Sequence, residues 1–295
     1  MTYFAAKRWP EPEVWTELVG VQLDLDNVQF CFDLLDPGSS EYSLKERTGR
    51  IVDSLKRYGL SIPSCLDGGA AYSGNLLLHP VKCMRVDALR WWDRAITLAH
   101  NLGARACGGF LGALSCKDMN DIERRAYLER CLIDDIGHLT NVGASLGQEC
   151  LIWEAMATGR EIPSTMSDTE RLLKEANKAS RIPVRLILDV GKPFGQDLPE
   201  DERDPYKWLS EFGSQAYCVH LQQTDRDGDR HWPFTERFNE LGVISGRKVI
   251  EAVERSGAKE CYLIIEISHP VVATDSEVIE DHKASIRYWK DLLGL

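Results

Sequence analysis

The strongest constraint on this chain is an alternation. Short apolar runs rich in β-formers recur at 3–7, 28–35, 60–66, 104–112, 149–156, 182–190, 215–223 and 260–267. Between them lie longer stretches with the 3.6-residue period of amphipathic helices. Pro10 and Pro12 open the first of these, and Gly59, Gly103, Gly257 and Gly294 stand where later ones should stop. Ser167 or Asp168 is the expected cap of the helix that follows 149–156, and Asp204-Pro205 has the N-cap and first-turn signature of another. Strand–helix alternation demands parallel pairing through crossovers. Eight such units predict a closed (β/α)8 TIM barrel, α/β in class, with a parallel eight-stranded sheet. The competing architecture is an open doubly wound sheet. No G-x-G-x-x-G follows the first run, which disfavours a dinucleotide-binding version of it.

A barrel of about 250 residues fits a chain of 295 as one domain, 1–295, and no linker or low-complexity stretch divides it. Net charge is −11, which speaks against a nucleic-acid partner, since such binding needs a basic face. Nine scattered cysteines, without a C-x-x-C pair, suggest a reducing, cytoplasmic setting rather than a disulfide framework. The first residues lack the apolar run of a signal peptide, and no run approaches the roughly 18 residues of a membrane span, so no membrane partner is expected. No motif fixes the oligomeric state, and pairing of copies through helix and loop surfaces stays open.

In a barrel the chemistry sits where strands end. The last four apolar runs each carry one polar residue at or near that end: Glu154 in LIWEAM, Asp189 in LILDVG, His220 in YCVHLQ and Glu266 in LIIEIS. One acid there is ordinarily a helix cap or an ion-pair partner. Four in succession ask for a common cause, because a buried lone carboxylate costs several kcal/mol. A divalent cation is that cause. Three carboxylates and one imidazole suit Mn²⁺ or Mg²⁺, admit Co²⁺ or Zn²⁺, and are oxygen-rich for zinc.

These four residues, in this order, resemble the ligands of the xylose isomerase-like TIM barrels, a superfamily of sugar isomerases and epimerases that also holds endonuclease IV. The segments FAAKRWPEPEVW, VQFCFDLLDP, REIPST, RDPYKWL, HLQQTD and HWPFT are similar to its sugar-phosphate isomerase/epimerase branch, which includes erythrulose-phosphate epimerases and ketose 3-epimerases. The resemblance spans essentially the whole chain. It implies an isomerase or epimerase of a short ketose or ketose phosphate. Glu154 and Glu266 would be ligands and also the acid/base pair, moving a proton through an enediolate that the metal stabilises. It also implies that Arg226, six residues after His220, orients substrate oxygens. Lys192 departs from the pattern, which places histidine three residues after the aspartate. Lysine there would bind an anionic group or polarise a carbonyl. His79 and Lys7 are further candidates for substrate contact, and Trp9, Trp232 and His269 are weaker ones.

The alternative is a metal-dependent decarboxylase, a lyase acting on a 3-oxo sugar acid, in which Lys192 would hold the carboxylate. A DNA-repair endonuclease needs a histidine-rich zinc site and a basic face, which seven histidines and the net charge of −11 do not provide. A non-catalytic sugar-binding barrel would leave both glutamates unexplained.

Overall fold

The computed structural model describes residues 1–195 and 198–295. Among these described residues seven strands form one parallel sheet in sequence order: β1 (Phe30–Cys31), β2 (Ser64–Leu66), β3 (Ala106–Gly109), β4 (Cys150–Glu154), β5 (Val184–Asp189), β6 (Ala216–Leu221) and β7 (Tyr262–Ile265). Among the described residues eleven α-helices accompany them: α1 (Pro12–Glu17), α2 (Glu41–Tyr58), α3 (Gly69–Tyr72), α4 (Lys82–Asn101), α5 (Cys116–Met119), α6 (Ile122–Ser145), α7 (Met166–Ala179), α8 (Pro205–Phe212), α9 (Glu236–Leu241), α10 (Gly246–Arg255) and α11 (Asp275–Leu293). Among the described residues no helix is long and apolar enough to cross a membrane.

The eighth strand expected at 3–7 is not there. Residues Thr2–Ala5 form a 3-10 helix. Thr2 still serves the sheet, since its N–H donates to Gln29 O at 2.9 Å and its hydroxyl accepts from Cys31 N at 2.8 Å. A side chain thus does part of the work of a strand. The run 28–35 also keeps only two ladder residues, because the chain turns after β1. Leu34 N and Leu35 N bond back to Cys31 O and Phe32 O, and Asp33 accepts from Gly69 N and Ala70 N.

The helix ends follow their chemistry. Gly59 closes α2 in left-handed backbone at φ 68°, where a side chain would be strained. Asp204 caps α8 as the Asp-Pro pair predicts, accepting from Tyr206 N. For α7 the cap is Thr165 rather than Ser167 or Asp168. Its hydroxyl accepts from Asp168 N, which makes Asp168 the third residue inside the helix.

Apolar side chains fill both faces of the sheet. Leu151, Trp153, Leu186, Leu188 and Val219 pack outward against the helices, beside Trp92, Leu132 and Trp208. Leu66, Ala106, Ile152, Ile187, Cys218 and Ile264 pack against one another on the inner face. A strand covered on both sides reads as a continuous apolar run, so a charge at its end stands out in the sequence.

A candidate metal centre at the strand ends

Sheet register brings the four polar residues onto one face. Glu154 pairs with Ile187, and Asp189 lies two residues further along β5. Asp189 pairs with His220, His220 with Ile264, and Glu266 lies two residues past that. Side chains alternate faces with period two, so each step of two keeps the inward direction. A register shift between Leu186 and Ile187 sets β5 against β6 just before Asp189. One candidate ligand atom from each residue lies within 4.8 Å of all the others. Glu154, Asp189 and His220 are buried, and the Glu266 side chain is 18 % exposed.

The donor set fits a divalent cation, and its unmet polar atoms argue for one. His220 Nδ1 is 2.6 Å from Glu266 Oε2 and 3.9 Å from Glu154 Oε1. Yet His220 Nδ1, His220 Nε2 and Glu266 Oε2 are all buried without an aligned hydrogen bond. Buried polar atoms are almost always bonded, so such a convergence marks a place that a cation completes. The cluster could hold a divalent ion through oxygen and one imidazole nitrogen.

Further residues surround the cluster. Lys192 Nζ lies 2.8 Å from Asp229 Oδ2 and 3.9 Å from Glu154 Oε1. Asp229 Oδ2 is also 3.3 Å from His231 Nε2. The Gln222 amide donates to both Asp189 oxygens, at 2.9 and 3.0 Å, and to Asp229 Oδ1 at 2.5 Å. Gly191 N adds a bond of 2.6 Å to Asp189. A Cβ at residue 191 would lie 2.5 Å from the Gln222 side-chain amide, so a larger residue there would have to displace it.

The electrostatics follow from burial and neighbours. Burial and then Asp229 push Asp189 up to about 7, against the pull of Lys192. Burial also raises Glu154, with Lys192 and His220 opposing. Glu266 goes the other way: burial would raise it, but His220, His231 and Lys192 outweigh that and hold it low. His231 rises to about 9, because Asp229 and Glu266 overcome its burial. Lys192 rises well above its usual value against burial, through Asp229, Glu154 and Asp189. His220, also against burial, is raised by Glu266.

A cavity of about 170 Å³ opens at these strand ends, lined by Glu154, Lys192, His231 and Glu266, with Tyr3, Asp67, Tyr72 and Phe110 across from them. The other sequence candidates lie elsewhere. Lys7, at φ 73°, lines an adjoining depression with Arg8 and His269. Arg226 lines a separate depression with Phe194, Tyr206 and Lys248. His79 sits at the start of α4, where its Nδ1 accepts from Val81 N. Trp232 packs against Phe238, and Trp9 against Phe4.

Sequence reasoning missed Asp67, Gln222, Asp229 and His231. Asp67 had the same signal as the four ligands, since it follows the apolar run of β2. It is buried and accepts from Phe110 N at 3.1 Å, and burial and then Glu154 raise it well above the usual carboxylate range. The other three lie in or beside the polar loop QQTDRDGDRHW, where nothing in the spacing singles them out.

The xylose isomerase-like TIM barrel model matches residues 20–292, and the chain belongs to that family. It is 26% identical over 286 residues to D-erythrulose 1-phosphate 3-epimerase of Brucella abortus (strain 2308), covering 96% of this chain and 91% of that protein. A crystal structure from Rhodospirillum rubrum ATCC 11170, provisionally assigned as a xylose isomerase, superposes with a TM-score of 0.92 at 29% identity, covering 98% and 97% of the two chains. D-psicose 3-epimerase from Clostridium cellulolyticum H10 has the same fold, at a TM-score of 0.70 and 14% identity over 95% and 93%.

Proposed function

We propose that this protein is a divalent-cation-dependent epimerase or isomerase of a short ketose or ketose phosphate, with Glu154 and Glu266 as its acid/base pair. One observation carries the reading: Glu154 and Glu266, from strand ends separated by β5 and β6, line a single cavity and converge with Asp189 and His220. Glu154, Asp189, His220 and Glu266 would hold the ion, and their oxygen-rich set favours Mn²⁺ or Mg²⁺. When bound, the cation supplies Lewis-acid stabilisation of the oxyanion that forms as a proton leaves the carbon next to the carbonyl.

The remaining steps belong to the side chains. One glutamate takes the proton from that carbon and the other returns one to the opposite face, which inverts the centre. Lys192, 3.9 Å from Glu154, lies where an ammonium can meet substrate oxygens, while Arg226 borders a separate depression. Lys7 borders the neighbouring depression, where a longer substrate would extend. The apolar walls Phe110 and Met156 exclude water from the exchanging proton. The name of the Brucella relative supports epimerisation over decarboxylation.

The test is solvent deuterium entry into D-erythrulose 1-phosphate and D-erythrulose with Mn²⁺-loaded protein. Deuterium should enter the carbon next to the carbonyl without release of CO₂. Exchange should vanish on metal removal and return with Mn²⁺. Exchange that persists in protein shown metal-free by elemental analysis would reject the reading, and CO₂ release from a β-keto acid would replace it with the lyase.

A further inference from the structure

Among the described residues, almost every buried carboxylate has its charge answered. Asp118 meets Arg124, Glu129 meets Arg125 and Arg171, and Glu161 accepts from the Tyr72 hydroxyl at 3.2 Å. Glu154 and Asp189 belong to the candidate metal cluster. Asp67 has no such answer. It is only 4 % exposed, forms no ion pair, and takes a single side-chain hydrogen bond, from Phe110 N to Oδ1 at 3.1 Å. Asp67 also lines the cavity, so its second oxygen stands there without a donor. A buried carboxylate oxygen in that condition is costly, and such a group calls for an explanation.

The position is built into the fold. Asp67 N donates to Gly108 O at 3.2 Å, so backbone and carboxylate together tie the residue to β3. Gly109, at φ 129°, lets the β3 chain pass close by, since a Cβ there would lie 2.0 Å from Asp67 Oδ1. Oδ2 is thereby fixed before anything binds, which keeps the entropy cost of using it low. The nearby donors are spent elsewhere: Tyr72 on Glu161, and the Cys31 thiol on Asp33 at 3.2 Å. A donor for Oδ2 therefore arrives with the ligand. In a short ketose the donors are hydroxyls. The carbonyl and the hydroxyl on the reacting carbon are taken up at the ligand cluster across the cavity, which leaves a terminal hydroxyl. A phosphate ester would bring only acceptors and a charge of the same sign as a carboxylate.

We propose that Asp67 is a substrate-binding residue that accepts a hydrogen bond from the terminal hydroxyl of the ketose, at the end that carries no phosphate, and so fixes which way round the substrate lies. The assignment deepens the epimerase reading and rests on it. In D-erythrulose 1-phosphate the hydroxyl in question is the one on carbon 4, and the ester end then points away from Asp67.

Calorimetric titration tests this without turnover. D-erythrulose 1-phosphate and its 4-deoxy counterpart, 3-hydroxy-2-oxobutyl phosphate, are titrated into wild type, Asp67→Asn and Asp67→Ala, all at saturating Mn²⁺ with bound metal checked by elemental analysis. Wild type should bind the hydroxylated ester at least about tenfold more tightly, the worth of one hydrogen bond to a charged group. Asparagine keeps an oxygen for Phe110 N and turns an NH₂ towards the cavity, whereas alanine removes the group. Either variant should bring the ratio below about threefold with bound Mn²⁺ unchanged, and the asparagine variant decides alone should the alanine variant not fold. A purely structural role for Asp67 would weaken both esters together and leave the ratio as in wild type, which overturns the proposal. So does a wild type that binds the two esters equally. Absence of deuterium exchange alongside intact discrimination would instead refute the proposed reaction and leave the Asp67 contact standing.

Discussion

Glu154→Gln should make the metal-free protein more stable while it removes the activity. The Glu154 side chain is buried, at 8 % exposure, and its nearest cationic atoms, Lys192 Nζ and His220 Nδ1, each lie 3.9 Å away, beyond hydrogen-bond reach. Its charge also faces those of Glu266 and Asp229. A buried polar group without a partner costs about 1–3 kcal/mol, and an uncharged amide of the same shape relieves the charge part of that cost. At roughly 2–4 °C per kcal/mol for a domain of some 150–250 residues, the gain is at most on the order of 2–12 °C in Tm. The same substitution removes a base, for a loss of about 10²–10⁴-fold in exchange rate, and removes a ligand charge, so that added Mn²⁺ stabilises the variant less than wild type. The assays are thermal melts with and without Mn²⁺, read beside deuterium exchange. A metal-free Tm several degrees below wild type would refute the reasoning, because it would make Glu154 a structural ion-pair partner and not a ligand held ready.

Glu266→Gln should also abolish exchange, and a near-wild-type rate in either glutamine variant would sink the two-base scheme. Gly191→Ala keeps an allowed backbone, at φ −90°, but drives a methyl into Gln222. We expect a loss of about 10–100-fold in Mn²⁺ affinity by calorimetry, and unchanged affinity would mean that Gln222 does not orient Asp189. His282 carries an acid-sensitivity of its own. Burial lowers it from 6.5 to about 3, and its ring bonds Val278 O at 2.7 Å and lies against His269 and Phe4. Its folded value lies below its unfolded one, so its contribution is complete above pH 6.5 and is lost as pH falls from there towards 3. The slope approaches about 1.4 kcal/mol per pH unit, or about 2 kcal/mol between pH 6.5 and 5. In denaturant titrations His282→Gln should flatten that slope, and an unchanged slope would acquit His282.

The four ligand candidates were legible because each interrupts a run buried on both faces, and because parallel pairing keeps residues at like strand ends together. Asp67 was equally legible by that rule, since it directly follows the buried strand β2. The strand expected at 3–7 failed for a local reason: Thr2 meets the edge of β1 with its hydroxyl, which no apolar pattern encodes. Thr165 was hidden among several oxygens in PSTMSDTE, where only the spacing to Asp168 N decides the cap. Asp229 and His231 were illegible because Lys192 reaches Asp229 from 37 residues earlier in the chain, and the loop folds back to bring both against Gln222. Loop conformation, not composition, makes that network.

The missing strand has a consequence for how the site opens. Among the described residues no ladder joins β7 to β1. The seam is bridged by the bonds of Thr2 to Gln29 and Cys31 and by Met1 N to Ile265 O at 3.1 Å. Strand ladders open only with cooperative units of the fold, whereas isolated bonds break singly. The amides of Thr2 and Cys31 should therefore exchange with solvent well before those of Leu151 or Val219. Cys31 and Glu266, on the two sides of this seam, both line the cavity. The seam beside Glu266 is thus held on its open side by single bonds, whereas Glu154, Asp189 and His220 lie within strands laddered on both sides.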